Sequence, residues 1–271
     1  MRGGGTWIFK YPLKLERRGT ADPAFRIFSE KGHGCEGFDK GGQHQCQNGT
    51  CRKSPAPKCG RESDFKVWSS INTVIDPDMK EKVRNLEAFR FVCPHCGADA
   101  NVNYGFLYHQ MEDHIMIYYV TDEESFKTAC EMLSSDYGLD GKAADLGIRA
   151  MKGYTNRVVT EQSELLEKIT IFDAGLDDRV VEIMKVIFHV QMQQEHSGTD
   201  IDRLYFYQDE NGRFGIQFVK ERKVVATAGF ERKLYEQVAE DFGPKIRQSG
   251  LSEISVNSDW ALEILSGGRD A

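Results

Sequence analysis

Two cysteines separated by two residues are the clearest chemical feature of the sequence. The string Cys93-Pro94-His95-Cys96-Gly97 lies between two runs rich in strand-forming residues, FRFV and NVNYGFLY. A strand, a tight turn with two thiolates and a second strand together form a zinc knuckle. Glycine suits the position after the second cysteine because it adopts backbone conformations that are costly for other residues. The pattern therefore predicts one half of a zinc site at this turn.

An incomplete copy of the same pattern lies upstream, in the string Ala56-Pro57-Lys58-Cys59-Gly60. It has the proline, the second cysteine and the glycine, but alanine stands where the first cysteine is expected. Two complete turns would supply four soft ligands at about 2.3 Å from a zinc ion. Here the two turns supply three, and we predict Cys59, Cys93 and Cys96 as zinc ligands.

The spacing of the cysteines leaves the fourth ligand open. Cys51 lies eight residues before Cys59 (59 − 51) and is our candidate for the fourth position. Cys46, His95 or a water molecule are alternatives, because imidazole, thiolate and water all bind zinc. A three-ligand site with a bound water is the arrangement of catalytic zinc, so the sequence leaves open whether the protein is an enzyme.

Redox catalysis is a weaker interpretation of the Cys-Pro-His-Cys string. In thiol oxidants the first thiolate is stabilised by the N-terminus of a helix. The run that follows Cys96, GADANVNYGF, predicts no helix. The sequence also has no glycine-rich phosphate loop, nucleophile elbow or HExxH helix. We therefore assign no catalytic residue.

Composition narrows the class of protein and of partner. The 271 residues include 35 Lys and Arg against 42 Asp and Glu, a net charge of −7, and residues 51–120 hold nine of each sign. This balance argues against nucleic acid and acidic membranes as partners and leaves an unknown protein partner. Seven cysteines without a secretory or membrane-spanning segment predict a cytoplasmic protein with free or metal-bound thiols. The oligomeric state stays open.

The chain divides into three parts by pattern. Residues 1–50 contain glycine clusters without periodicity and predict a disordered tail. Residues 51–121 alternate short strands with turns, interrupted by a helix that begins at Pro77 with Asp76 as its N-cap. Residues 122–271 predict an α+β C-terminal portion.

Within this third part, helical periodicity starts at residue 122 and ends at Gly138, with Cys130 in the buried stripe. A short strand at 157–159 then leads into a helical hairpin, 160–175 and 178–195, in which Thr160 and Asp177 are the predicted caps. Three extended runs follow as a meander whose first turn contains Asn211-Gly212. Two helices close the chain, the last with Asp259 as its predicted cap.

Several of these segments resemble the CpXC domain of bacteria and archaea. The resemblance rests on FKVWSSINTVIDPDMKEKV, FRFVCPHCGADANVNYGFLYHQ and MIYYV, about residues 54–120, and continues through RVVTEQSELLEKITIFDAGLDDRVVEIMK. It implies a bacterial or archaeal protein with two CPxC motifs that bind zinc, and it implies no particular activity. Cys93 and Cys96 match the second motif, and Pro57 and Cys59 match the first. Ala56 departs from it.

The predicted fold is α+β: a small β-rich zinc-ribbon-like unit, then a helical hairpin, a three-stranded meander and C-terminal helices. The predicted function is binding or scaffolding with structural zinc, because the residues with distinct chemistry form a metal site. The alternatives are a metal-dependent enzyme with a three-cysteine zinc site and a nucleic-acid-binding zinc ribbon.

Overall fold

A computed structural model describes residues 15–16, 45–46, 49–134, 153–195, 200–248 and 253–266. Helices and small sheets alternate along the chain, so the predicted α+β class is confirmed. In chain order the strands are β1 (Leu15–Glu16), β2 (Gln45–Cys46), β3 (Gly49–Pro55), β4 (Glu62–Val67), β5 (Ser70–Asn72), β6 (Arg90–Val92), β7 (Asp99–Asn101), β8 (Phe106–Gln110), β9 (Ile115–Tyr119), β10 (Thr155–Val159), β11 (Arg203–Gln208), β12 (Phe214–Lys220) and β13 (Lys223–Gly229). The helices are α1 (Pro77–Arg84), α2 (Glu123–Ser134), α3 (Gln162–Asp173), α4 (Asp178–Glu195), α5 (Arg232–Gln248) and α6 (Ser258–Ser266).

The chain forms two compact units, one of residues 30–165 and one of residues 1–29 with 166–271. Most of the predicted tail, residues 1–50, lies outside the described residues; the exceptions are β1, β2 and the first two residues of β3. The domain bounds predicted from the sequence, 1–50, 51–121 and 122–271, stay predictions.

The 30–165 unit contains a mixed four-stranded sheet in the order β10-β9-β8-β5. Strands β8 and β9 are antiparallel neighbours, whereas β5 runs parallel to β8 and β10 runs parallel to β9. Tyr104, Phe106 and Tyr108 are all buried, and the rings of Tyr104 and Phe106 pack in a cluster with Phe89 and Tyr119 at centroid distances of 5.4–6.1 Å. These aromatic residues therefore form a core and are not free to stack on nucleic-acid bases.

Two β-hairpins in the same unit carry the cysteine turns. Strands β3 and β4 pair antiparallel with Pro55 opposite Glu62, and β6 and β7 pair antiparallel with Val92 opposite Asp99. Six residues therefore separate the strands of each hairpin, 56–61 in the first and 93–98 in the second. Because the loops are equally long, corresponding residues of the two turns lie at equivalent positions relative to their strands.

Helices α1 and α2 begin at the predicted positions, with one difference in capping. Asp76 occupies the N-cap of α1 as predicted, although its side chain makes no capping hydrogen bond. Pro77 is the first helical residue and fixes the start through its φ angle. Asp122 accepts a hydrogen bond from the Ser125 N–H at 2.8 Å and caps α2. The predicted end of α2 at Gly138 lies outside the described residues, and Cys130 is half-buried.

Helices α3 and α4 form the predicted hairpin. Gly175, at φ 65°, ends α3, and Leu176 donates its N–H to the Ile171 carbonyl at 3.1 Å, as in a Schellman motif. Asp177 then caps α4 by accepting a hydrogen bond from the Arg179 N–H at 2.9 Å. The cap predicted at Thr160 is wrong by one residue, because α3 begins at Gln162 and Glu161 precedes it; the Glu164 carboxylate accepts the N–H of Thr160 at 3.0 Å.

The second unit also contains the predicted meander, in a sheet of order β1-β13-β12-β11. Asp209 stabilises the first turn by accepting hydrogen bonds from the N–H groups of Asn211 and Arg213 at 2.9 and 2.8 Å, and Gly212 has φ 77°. At the last helix the cap prediction is wrong. Asn257, not Asp259, accepts the hydrogen bond from the Trp260 N–H at 3.0 Å, and Asp259 lies in the first turn of α6.

Candidate metal centre

The two cysteine turns have the same backbone hydrogen bonds. In the first, Ala56 N–H donates to the Arg61 carbonyl at 3.0 Å, and Gly60 N–H donates to the Ala56 carbonyl at 2.9 Å. In the second, Cys93 N–H donates to the Ala98 carbonyl at 2.8 Å, and Gly97 N–H donates to the Cys93 carbonyl at 2.9 Å. The incomplete motif therefore folds as the complete one does, although it lacks a cysteine.

The glycines at the end of the turns take the left-handed conformation that this hydrogen-bond pattern requires. Gly60 has φ 67° and Gly97 has φ 66°. A β-carbon would raise the energy of both residues by about 1–2 kcal/mol. The space around each glycine is otherwise open, with no atom within 4 Å of an added β-carbon. The need for glycine is thus conformational and does not come from packing.

The two turns bring three of the predicted ligands together. The Sγ atoms of Cys59, Cys93 and Cys96 all lie within 4.8 Å of one another. Those of Cys59 and Cys93, from different hairpins, are 3.8 Å apart. Cys93 is buried, Cys96 is half-buried and Cys59 is exposed, so the cluster extends from the protein interior to the surface.

Hydrogen bonds in the second turn favour a thiolate at Cys93. Burial alone would raise the pKa of Cys93, but hydrogen bonds from the backbone N–H groups of His95 and Cys96 and from the thiols of Cys96 and Cys59 lower it to about 7. The His95 N–H lies 3.4 Å from the Cys93 Sγ. At Cys96 the backbone hydrogen bond to Ala98 favours the thiolate, but the thiol of Cys59 and burial outweigh it and raise the pKa. One thiolate with two thiols beside it is a site prepared for a cation, since metal ligation displaces the remaining protons.

Ala56 lies at the position of the missing fourth thiolate. It corresponds to Cys93 in the hydrogen-bond pattern of its turn, and the two residues are 2% and 1% exposed. A methyl group therefore stands where a complete motif has its fourth sulfur. The fourth ligand of a bound ion must come from another residue or from water.

The other candidates for the fourth ligand lie elsewhere. Cys51 is in the middle of β3, opposite Lys66 in β4, and is not one of the three residues of the sulfur cluster. Its role as a ligand stays a prediction. His95 is exposed on the outside of the second turn, and Cys46 is in β2. Within the described ranges no histidine or carboxylate joins the three sulfurs as a further close donor.

The chain after Cys96 continues as strand β7, as predicted, and not as a helix. A helix N-terminus that could lower the pKa of the first thiol, as in thiol oxidants, is therefore missing from this turn. The backbone of this region supports ligation better than disulfide exchange. Sequence reasoning identified all three clustered sulfurs. It gave no indication that the His95 N–H would face the Cys93 sulfur, because that contact depends on how tightly the turn closes.

Comparison with known proteins gives one match. Residues 55–185 match the family model described as CpXC protein. None of the curated proteins and none of the solved structures matches the chain. Across the described ranges, every helix is too short or too polar to cross a bilayer. The matched segment begins just before the first cysteine turn, includes the second and ends in α4. The resemblance seen in the sequence is thereby confirmed: residues 55–185 are similar to the CpXC family.

Proposed function

We propose that the protein binds one zinc ion through Cys59, Cys93 and Cys96 and that this ion has a structural role. The observation that carries the proposal is the convergence of the three sulfurs from two hairpins with matching hydrogen bonds. A bound ion would link the two hairpins through their turns. Zinc supplies a strong, closed set of metal–sulfur bonds without redox chemistry of its own.

The spacing of the sulfurs fits zinc. Ligands at about 2.3 Å in a tetrahedron lie about 3.8 Å from one another. The Cys59 and Cys93 sulfurs are 3.8 Å apart, and all three sulfurs fall within 4.8 Å. Thiolate ligands also favour zinc over magnesium or calcium, which prefer oxygen. Little rearrangement of the turns is needed for the three thiolates to contact one ion.

Elemental analysis tests this proposal. Wild-type protein purified in reductant without added metal is expected to carry up to one zinc per chain. The double variant Cys93→Ser/Cys96→Ser is expected to carry almost none. Cys130→Ser is the matched control, because it removes a half-buried thiol of α2 that is not part of the sulfur cluster. Equally negligible zinc in the wild type and the double variant would contradict the proposal.

The alanine at position 56 supports a second candidate function, that of a metal-dependent enzyme. Three protein ligands with one exchangeable position are typical of catalytic zinc, and Ala56 leaves such a position beside the three sulfurs. A catalytic site also needs a group that accepts or donates protons near the ion. Because no histidine or carboxylate among the described residues joins the sulfurs, we prefer the structural role.

Cobalt substitution separates the two candidates. Co²⁺ bound by thiolates has ligand-to-metal and d–d absorption bands that change when an exogenous anion enters the coordination shell. A structural site is expected to keep its spectrum when azide or cyanide is added at low millimolar concentration. A shift that saturates with anion concentration would favour the enzyme.

We further propose a protein as the partner and the cytoplasm as the compartment. Nine charges of each sign in residues 51–120 provide no basic surface for nucleic acid. The described cysteines from Cys51 to Cys130 form no disulfide, which suits a reducing environment. A pull-down with the zinc-loaded chain, compared with Cys93→Ser/Cys96→Ser, tests for a protein partner that depends on the metal. Nuclease treatment distinguishes such a partner from bound nucleic acid.

A further inference from the structure

The second unit contains five charged side chains in its interior. They come from the helical hairpin: Glu167 and Lys168 in α3, and Asp178, Glu182 and Lys185 in α4. None of the five side chains is more than 7% exposed. Burying so many charges is costly unless each is paired and hydrogen-bonded. The net charge of these five buried groups therefore decides whether the cluster is stable without a further bound cation or proton.

Both lysines use all of their donors within the cluster. Lys168 Nζ donates to Asp178 Oδ2 at 2.8 Å, to Glu182 Oε1 at 3.3 Å and to the Val256 carbonyl at 2.8 Å. Lys185 Nζ contacts both oxygens of Glu167, at 2.9 and 3.0 Å, and Glu182 Oε1 at 3.0 Å. An ammonium group has three N–H donors, so neither lysine has one to spare.

The carboxylates exceed the ammonium groups by one. Three carboxylates and two lysines leave one uncompensated negative charge if all five are ionised. Glu182 Oε2 is the oxygen where this excess is least stabilised, because it is buried and has no hydrogen-bond partner among the described residues. Asp178 is paired with Lys168 at 2.8 Å and lies in the first turn of α4, where the helix dipole favours a negative charge. The excess negative charge therefore falls on Glu167 and Glu182.

The other groups around the cluster do not neutralise it. Arg179 of α4 is paired with Asp177 at 2.7 Å, and the charges of Asp178 and Glu253 act on the same guanidinium. From β11, the Tyr205 ring lies 6.0 Å from Lys185 Nζ and carries no formal charge. From α5, the Tyr235 hydroxyl accepts the Asp177 N–H at 2.8 Å. These neighbours together add more negative charge than positive.

We propose that this cluster is a proton-binding site: the second unit holds one proton in its interior, at the carboxyl group of Glu167 beside the charge of Glu182. Both carboxyls contact Lys185 Nζ, so the charge of Glu182 acts on Glu167 at short range. With the proton bound, the cluster is neutral. When the proton leaves, a buried net charge remains, and the unit becomes less stable.

The electrostatics of the neighbouring groups support the site. Burial, together with the charge of Glu182, raises the pKa of Glu167 to about 7 despite the opposing charges of Lys185 and Lys168. Burial would lower the pKa of Lys185, but Glu167 and Glu182 outweigh it and raise that pKa. Both directions mean that the folded unit binds a proton more tightly than the unfolded chain does.

The sign of the pH dependence follows from linkage. The ordinary pKa of a glutamate is 4.5, below the value of about 7 for Glu167 in the folded unit. The contribution of the proton to stability is complete below pH 4.5 and is lost as the pH rises to about 7. In that window the unfolding equilibrium constant rises by about tenfold per pH unit. The protein therefore has a unit that is loosened by alkaline and stabilised by acidic conditions.

Hydrogen exchange of the full chain tests the proposal locally. Exchange of peptides from α4 is measured between pH 5 and 7 in wild type and in Glu182→Gln, which keeps the shape of the side chain but carries no charge. At equal pH the wild type and the variant have the same intrinsic exchange rates. The ratio of their measured exchange rates therefore equals the ratio of their opening constants. This ratio, wild type over variant, is expected to rise by about tenfold per pH unit. Glu236→Gln is the control, because Glu236 is an exposed α5 residue paired with Arg232.

Parallel pH profiles of wild type and Glu182→Gln would overturn the proposal. Glu167→Gln is the second variant if Glu182→Gln does not fold. Infrared spectroscopy of the wild type requires no variant. At pH 6 exposed carboxyl groups are ionised, so a carboxylic-acid C=O band at that pH reports a buried proton. The band is expected at pH 6 and is expected to vanish at pH 8.5. Its absence at pH 6 would also refute the site.

Discussion

Ala56 and Cys93 occupy the same position in two turns that have the same backbone hydrogen bonds, and both residues are buried. The first turn has thus kept its shape without the thiolate that its counterpart contributes. Its glycine, Gly60, also keeps the positive φ angle of Gly97. A turn of this shape does not need its first cysteine in order to form. We infer that the backbone shape of each turn and the number of its cysteine ligands can be changed independently by substitution.

Ala56→Cys is expected to complete a four-thiolate site. The new sulfur replaces an exchangeable ligand or a distant donor, so zinc affinity should rise by tenfold or more. A tenfold gain corresponds to about 1.4 kcal/mol. Because metal bound only by the folded state stabilises it, a similar gain should appear in the stability of the zinc-loaded protein. Competition with a chromophoric chelator at fixed pH measures the affinity.

Lys58→Cys is the matched control for this gain. It adds a thiol to the same turn, but at an exposed position that corresponds to His95. It should leave the affinity almost unchanged. Testing Ala56→Cys again in a Cys51→Ser background asks whether Cys51 already supplies the fourth sulfur. Improvement in that background only would identify Cys51 as the native ligand. No improvement in either background would contradict the equivalence of Ala56 and Cys93.

Gly97→Ala is expected to weaken the site without touching a ligand. The β-carbon meets no atom within 4 Å, so the cost is that of the left-handed conformation, about 1 kcal/mol or more. This corresponds to about a fivefold loss of zinc affinity if the turn forms fully only around the ion. Gly60→Ala should lower the zinc affinity by a similar factor.

Gly229→Ala is the control for both glycine variants. Gly229 also has open space around an added β-carbon, but its φ angle is not positive. Zinc affinity should therefore be the same as in the wild type. Equal affinities of Gly97→Ala and wild type in the chelator titration would show that the turn tolerates a β-carbon and that its shape is not needed for ligation.

Removal of the metal should loosen the two hairpins selectively. Chelation at neutral pH is expected to increase hydrogen exchange in the 56–61 and 93–98 turns and in the strands β3, β4, β6 and β7. The meander β11–β13 is the internal reference, because it belongs to the other compact unit. Exchange measured on the same sample with and without chelator gives the comparison. Equal changes in the hairpins and the meander would argue for global unfolding instead of a local structural ion.

The sequence predicted those parts of the fold that depend on local chemistry. Gly175 ends α3, Asp177 caps α4, and Asn211-Gly212 forms the first turn of the meander. In each case the residue type determines the backbone within a few positions. The three clustered sulfurs were predicted for the same reason, because two short turns with glycine after cysteine can take only a few shapes.

Long-range pairing could not be predicted in this way. Nothing in the residues of β10 indicates that it runs parallel to β9, since a segment of more than thirty residues separates the two strands. The cap of α6 shows a related failure. Both Asn257 and Asp259 are good cap residues, and only the position of the helix start decides between them.

The charged interior of the second unit was also hidden from sequence reasoning. Helix α4 was predicted from its helical periodicity, which gave no indication of the positions of Glu182 and Lys185. Both residues are buried, because α3 places Glu167 and Lys168 opposite them. Helical periodicity alone does not distinguish a paired interior charge from a solvated one. Glu167 also covers the open edge of β11 by accepting the Phe206 N–H at 2.6 Å, a contact that only the fold creates.

Lys168→Met is expected to destabilise the second unit strongly. The substitution preserves most of the volume of the side chain but removes the ammonium that binds Asp178, Glu182 and the Val256 carbonyl. Breaking a buried ion pair from one side costs about 3–5 kcal/mol, because the remaining charge is neither solvated nor paired. Lys127→Met is the control: Lys127 pairs with Glu123 on the exposed face of α2, where such a pair contributes about 0.5 kcal/mol or less. Hydrogen exchange of α4 peptides at pH 6 measures the loss for the second unit alone. A loss below about 1 kcal/mol would mean that water reaches the cluster and that its charges are not held in a dry interior.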